Sequence, residues 1–133
     1  MNTSEQLFAA ALKAFKQAYA PYSGFPVGAA VLSTDNHIYS GCNVENISYP
    51  CGSCAEQSAI SAMINGGSRH IQEILILADG QDLITPCGAC RQRIAEFATE
   101  ETLVHLATPQ GIQKTLPMSQ LLPFCFTDKE LKK

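Results

Sequence analysis

Two short stretches hold the residue types that could do chemistry: Cys54-Ala55-Glu56, and further along Pro86-Cys87-Gly88-Ala89-Cys90. Cys54, Cys87 and Cys90 offer three thiolates at zinc-ligand spacing. Three protein ligands leave a tetrahedral zinc ion with one position open to water, the arrangement of catalytic rather than structural sites. Glu56 lies two residues past the first cysteine, placed to move that water's proton. Three thiolates around a dication carry one net negative charge, which opposes ionisation of the water. Helix ends and nearby cations must offset it.

Plainer readings compete for each residue. A lone Glu in the first turn of a helix simply favours the helix dipole, and Pro86 can serve as a turn or first-position residue. Cys51-Gly52-Ser53-Cys54 and Cys87-Gly88-Ala89-Cys90 together form two Cys-x-x-Cys pairs, which could close a four-thiolate structural zinc site and make the chain a non-catalytic module. The gap between the pairs exceeds the roughly 15–20 residues of zinc-ribbon spacing. A chain of 133 residues also needs no metal staple to fold. The pairing of Cys-x-Glu with Pro-Cys-x-x-Cys favours catalysis.

The bulk numbers restrict the partners. With 46% hydrophobic and 16% charged residues, the chain reads as one globular domain spanning 1–133. The net charge is -3, and the longest basic run is Lys132-Lys133. A nucleic-acid surface is therefore not expected, and a small or neutral partner is. Met1-Asn2-Thr3-Ser4-Glu5-Gln6 has neither the basic nor the apolar stretch of a secretory leader. No apolar run is long enough to cross a bilayer. A cytoplasmic location is expected, where six cysteines serve more readily as ligands or buried thiols than as disulfides.

The elements that must position these residues follow from periodicity. Leu7, Ala11, Ala14, Phe15 and Ala18 share one face of a helix over 4–19, with Thr3 and Gln6 at capping-box spacing and Pro21 as its stop. Val27 to Ser33 and Ile38 to Val44 form a hairpin around Thr34-Asp35-Asn36-His37. Ser53 caps a second helix reaching Asn65, ended by Gly66-Gly67. Ile74 to Ala78 is a buried central strand, and a third helix runs from about Cys87 to Ala98. Thr102 to Ala107 and Ile112 to Leu116 are two further strands, and Pro117 opens a short helix carrying Leu121 and Leu122. The order α-β-β-α-β-α-β-β-α predicts an α/β fold, a mixed sheet with helices on its faces. The cysteine stretches then open the second and third helices, and the ligands converge where two helix N-termini meet.

The flanking residues carry a resemblance. Gly41-Cys42-Asn43-Val44-Glu45-Asn46-Ile47-Ser48-Tyr49-Pro50, leading to Cys54-Ala55-Glu56, closely resembles the free-nucleoside cytidine deaminases. So do Ala20 to Ala30, Pro86 to Gln92, and Leu121-Leu122-Pro123 followed by Phe126. These matches span most of the chain in the family's order, and Asn-x-Glu-Asn is the element most specific for a nucleoside. Deaminases of polynucleotides and of deoxycytidylate generally have His in place of Cys54. Blasticidin S deaminases share the zinc pattern but differ at Asn-x-Glu-Asn.

The resemblance implies a three-layer α-β-α sandwich with a mixed five-stranded sheet, one Zn2+ per subunit on Cys54, Cys87 and Cys90, and Glu56 as the catalytic acid and base. The implied reaction is hydrolytic deamination of cytidine or deoxycytidine, with release of ammonia. Asn43 and Glu45, two apart at a strand end, project on the same side and suit ribose hydroxyls; as ordinary turn residues they would do neither. The resemblance further implies that Phe25 lines the base pocket and that the backbone of Ala55 and Cys87 meets the base edge. It places Phe126 from a neighbouring subunit on the pyrimidine and Tyr49 at a subunit contact. Chains of this length in the family are typically homotetramers, and the apolar run 121–126 suits sites at subunit contacts. Cys42, Cys51 and Cys125 are expected to be small buried hydrophobes. His37, His70 and His105 read as turn or strand-edge residues. Many relatives carry Arg directly after the catalytic Glu; here Gln57 stands there, and Arg91, with Arg93, is expected to supply the missing charge.

Overall fold

The protein is described by a computed structural model covering residues 2–128 and 131; Lys132 and Lys133 lie outside the described residues. Helix α1 spans Thr3–Gln17, and it is Asn2, not Thr3, that caps it, its side chain accepting from the Glu5 N–H at 2.9 Å. The helix ends at Gln17 with Ala18 as C-cap, before Pro21 could stop it. Strands β1 (Val27–Ser33) and β2 (Ile38–Cys42) form the expected hairpin, with Asn36 at φ 69° in its turn. Past β2, Val44 makes only single bridges, to Tyr19 and to Ser53. A short 3-10 turn at Tyr49–Cys51 leads into α2 (Ala55–Asn65), whose N-cap is Cys54 rather than Ser53. Strand β3 (Ile71–Ala78), α3 (Gly88–Phe97) with Cys87 as N-cap, β4 (Leu103–Thr108) and β5 (Gly111–Pro117) follow. Pro117 closes β5 and caps α4 (Met118–Leu121) from outside.

The five strands lie in the order β2-β1-β3-β4-β5. Only β3 and β4 are parallel, joined through α3; the other neighbours are antiparallel. Alternation along the inner strands divides the core into two clusters. Ala29, Val31, Ile74, Ile76, Val104 and Leu106 face α2 and α3. Ala30, Leu32, Leu75, Leu77 and Ala107 face α1, meeting Leu7 and Ala11. Continuous burial of β1 and β3 follows from this double cover, each large aliphatic side chain contributing about 1.5–3 kcal/mol. The result is the three-layer α-β-α sandwich with a mixed five-stranded sheet.

Two glycines set how closely the outer layers approach. A Cβ on Gly28 would lie 2.2 Å from the Ala11 carbonyl oxygen of α1, and one on Gly41 would lie 2.5 Å from the Ala59 nitrogen of α2. Both distances are far inside van der Waals contact, so only the bare backbone admits the helices. Gly41 thereby seats α2, which carries Glu56 one turn from the point of contact.

Candidate active site and metal centre

Cys54 and Cys87 stand at the N-caps of α2 and α3, and Cys90 lies in the first turn of α3. Both helices cover the same sheet face and touch each other, which brings their N-termini together. The sulfurs of Cys54 and Cys90 and a carboxylate oxygen of Glu56 all lie within 4.8 Å of one another. Cys87, exposed at its N-cap, is not in that group. Cys51 is exposed, its thiol 3.5 Å from Ser48 Oγ, and takes no part in the cluster. A closed four-thiolate site is thus not what the chain has built. Cys42 and Cys125 are half-buried, so the expectation that all three of these cysteines are small buried hydrophobes does not hold. His105 is not a strand-edge residue either: it is buried in the middle of β4 between Thr115 and Glu73, at 2.8 and 2.7 Å.

The electrostatics mark the cluster as unusual. Glu56 is 5% exposed, and burial raises its carboxyl above the ordinary range. The two thiols share a hydrogen bond that lowers Cys54 to about 7 and drives Cys90 well upward. A dication bound among them would reverse the upward direction, because coordinated thiols are deprotonated outright. Arg93 donates from Nη1 to Cys90 Sγ at 3.5 Å and to Cys54 Sγ at 3.8 Å, contacts that raise its own affinity for a proton. Arg91, expected to compensate the thiolates, is turned away. Its Nε donates to the Pro86 carbonyl at 2.9 Å, Nη1 to the Leu121 carbonyl at 2.7 Å and Nη2 to Thr85 Oγ1 at 3.2 Å.

A cavity of 440 Å³ opens beside Cys54, lined among others by Tyr22, Ser23, Asn43, Glu45, Asn46 and Tyr49. Asn43 and Glu45 reach the same loop, consistent with their same-side projection. Asn43 Oδ1 accepts from the Val27 N–H at 2.9 Å while its Nδ2 donates to the Phe25 carbonyl at 3.0 Å. Glu45 accepts from the Tyr22 and Ser23 N–H groups at 2.9 and 3.0 Å and from the Ser23 hydroxyl. These bonds hold its carboxyl below the usual range, Ser23 contributing most. Tyr49 is exposed at the rim, edge-on to Tyr22 with ring centroids 6.3 Å apart. Phe25, Ala55 and Phe126 do not line the cavity. Phe25 is half-buried, Ala55 is fully buried as the first residue of α2, and Phe126 is 66% exposed, its carbonyl accepting from Gln92 Nε2 at 3.1 Å. Sequence reading missed Tyr22 and Ser23 as partners of Glu45: their backbone donors carry no side-chain signature, and nothing in the spacing ties the Ser23 hydroxyl to Glu45. It gave Arg93 only a secondary place, although the i, i+3 spacing from Cys90 sets both on one helix face.

Sulfur and carboxylate donors gathered at two helix N-termini, with an arginine on the sulfurs, form a donor set suited to zinc. Residues 1–106 match the family described as "Cytidine and deoxycytidylate deaminase zinc-binding region". The chain belongs to that family; it is an enzyme, and zinc is its cofactor. It is 42% identical over 127 residues to the cytidine deaminase of Sporosarcina psychrophila, covering 96% of this chain and 93% of that one. It is 39% identical over 127 residues to the cytidine deaminase of Halalkalibacterium halodurans, covering 96% of each. The crystal structure of cytidine deaminase from Burkholderia pseudomallei superposes with a TM-score of 0.87 at 38% identity, over 95% of this chain and all of that one.

Proposed function

We propose that the protein hydrolyses the exocyclic amino group of cytidine or deoxycytidine, giving uridine or deoxyuridine and ammonia. The observation that carries this reading is the buried Glu56 carboxylate within 4.8 Å of the Cys54 and Cys90 thiols, with Cys54 also lining a cavity of 440 Å³. Cys54, Cys87 and Cys90 would hold the zinc ion, one per subunit, Cys87 completing the pair already gathered. When bound there, zinc supplies the Lewis acidity that makes water a competent nucleophile near neutral pH.

The chain's own residues do the rest. Glu56 accepts a proton from the attacking water and delivers it to ring N3, which makes C4 more electrophilic. It then takes the second proton of that water and delivers it to the departing amino nitrogen, which leaves as ammonia, so one carboxylate serves alternately as base and acid. Burial suits this work, because a raised carboxyl pKa lies nearer the working pH. Asn43 keeps one amide hydrogen and one lone pair after its two backbone bonds, and Glu45 keeps acceptor capacity. Both can take sugar hydroxyls and fix C4 over the reacting water, an orientation effect. Tyr49 closes the rim, Phe25 and the Ala55 and Cys87 backbone stand beside the base, and Phe126 of a neighbouring subunit stacks on it. Exposure of Phe126 away from its own cavity supports that last role. The reading extends to a homotetramer working in the cytoplasm in recovery of free pyrimidine nucleosides.

Incubation of zinc-loaded protein with cytidine, following ammonia and uridine together, tests the proposal. Stoichiometric appearance of both is expected. A loaded protein that releases neither overturns it.

A further inference from the structure

Three thiolates and a dication leave one negative charge, and an ionised Glu56 adds a second. Gln57, the residue after Glu56, brings none to offset it. The thiolates nevertheless have a cationic partner. Arg93 Nη1 lies 3.5 Å from Cys90 Sγ and 3.8 Å from Cys54 Sγ, and among the described residues no carboxylate pairs with it. An exposed arginine is free to sit anywhere in solvent; this one spans two sulfurs belonging to different helices. The neighbouring cation, Arg91, is held by two carbonyls and a hydroxyl on the other side of α3.

We propose that Arg93 is the positioning residue that compensates the thiolate charge of the zinc centre, doing from α3 what Gln57 cannot do from α2. The proposal rests on the deaminase reading above. Each N–H donated to a thiolate draws electron density from the sulfur and weakens its donation to the metal, as outer partners of ligands generally do. That keeps the centre electrophilic despite its all-sulfur ligands. Gln57 and Arg93 border the same groove of 530 Å³, together with Ile60, Ile64 and Phe97. A guanidinium placed at position 57 therefore starts from the same groove as the one it would replace.

The test compares Arg93→Gln, Arg93→Lys and the double variant Gln57→Arg/Arg93→Gln, each checked for metal content and helical signal. Steady-state kinetics with cytidine give kcat and KM, and the Co2+-loaded proteins give the thiolate-to-cobalt charge-transfer absorption. Arg93→Gln is expected to lower kcat roughly 10- to 100-fold, the worth of one charge-assisted hydrogen bond. KM should stay within about twofold, because Arg93 does not line the nucleoside cavity. The absorption band should move to lower energy as the sulfurs regain electron density. Arg93→Lys should keep part of the wild-type rate, and the double variant should recover both rate and band. An unchanged kcat and band in metal-replete Arg93→Gln overturns the proposal. So does a fall in kcat with the band in place, which would make Arg93 a purely structural residue. Should the wild-type protein release no ammonia, the deaminase reading fails, while the cobalt band still decides whether Arg93 acts on the sulfurs.

Discussion

Replacing Glu56 by Gln removes the carboxylate proposed above to take a proton from water while keeping the shape of a side chain that is 5% exposed. Turnover should fall by at least about 10²–10⁴, the span attributed to a positioned acid–base group, while metal analysis still finds one zinc per chain. A Glu56→Gln protein retaining most of its activity removes Glu56 from the mechanism; one that loses zinc as well makes it a ligand instead. At this scale the sequence was most informative where chemistry dictates spacing. Cys-x-Glu and Pro-Cys-x-x-Cys named Cys54, Glu56 and Cys90, and these three converge. What spacing could not reveal was which of two arginines turns inward. Arg91 and Arg93 are two apart on a helix, hence on different faces, and carbonyls at Pro86 and Leu121, brought near by tertiary folding, claim the first. Burial of Cys42, Cys51 and Cys125 was misjudged for a similar reason. A thiol's apolar character does not fix its place when a loop, or the last residue of a strand on the sheet's edge, carries it.

Helices and strands were legible from periodicity, while their ends were not. Asn2 outcompeted Thr3 as the cap of α1, and the cysteine ahead of α2 took the place offered to Ser53. In both cases the true cap is decided by where the chain first bends into helix, which neighbouring polar residues do not announce. Gly41 shows a second limit: a glycine within a strand reads as a weak point until the helix lying against it is seen. Gly41→Ala should cost about 1–3 kcal/mol by overpacking. It should also lower kcat, because the displaced Ser58–Ala59 backbone is one turn from Glu56. Gly28→Ala pushes instead on α1 at Ala11 and Phe15, across the sheet from the site. It should lower the melting temperature while leaving kcat close to wild type. Equal loss of activity in both variants would show that α2 is not specially positioned by Gly41.

For the molecule as a whole, the alternation of elements was enough to foresee helices on both faces of a mixed sheet, because strands buried on two sides must be covered twice. Assembly is a different matter, since a single chain shows only what it leaves uncovered. Ile47, Tyr49, Phe124 and Phe126 are all more than 60% exposed, large apolar side chains that a partner surface would cover. In size-exclusion chromatography with light scattering the protein should run at four times its chain mass, and Phe126→Ala should weaken cytidine binding without changing zinc content. A species of single-chain mass with full activity would contradict the tetramer and the shared site together.

Three successive side chains of α3 are fastened to three different things: Arg91 to the backbone at Pro86 and Leu121, Gln92 to the Phe126 carbonyl, and Arg93 to the sulfurs of Cys54 and Cys90. The stretch from Leu121 to Phe126 is thereby moored to the helix that carries Cys90 and is proposed to help hold the zinc ion. Anyone grafting a fluorophore, tag or surface tether near that stretch would be pulling on the cysteine cluster, so attachment on the hairpin turn at Asn36, at the end of β1 opposite the Val27–Ala78 pairing that leads towards α3, is the sounder choice.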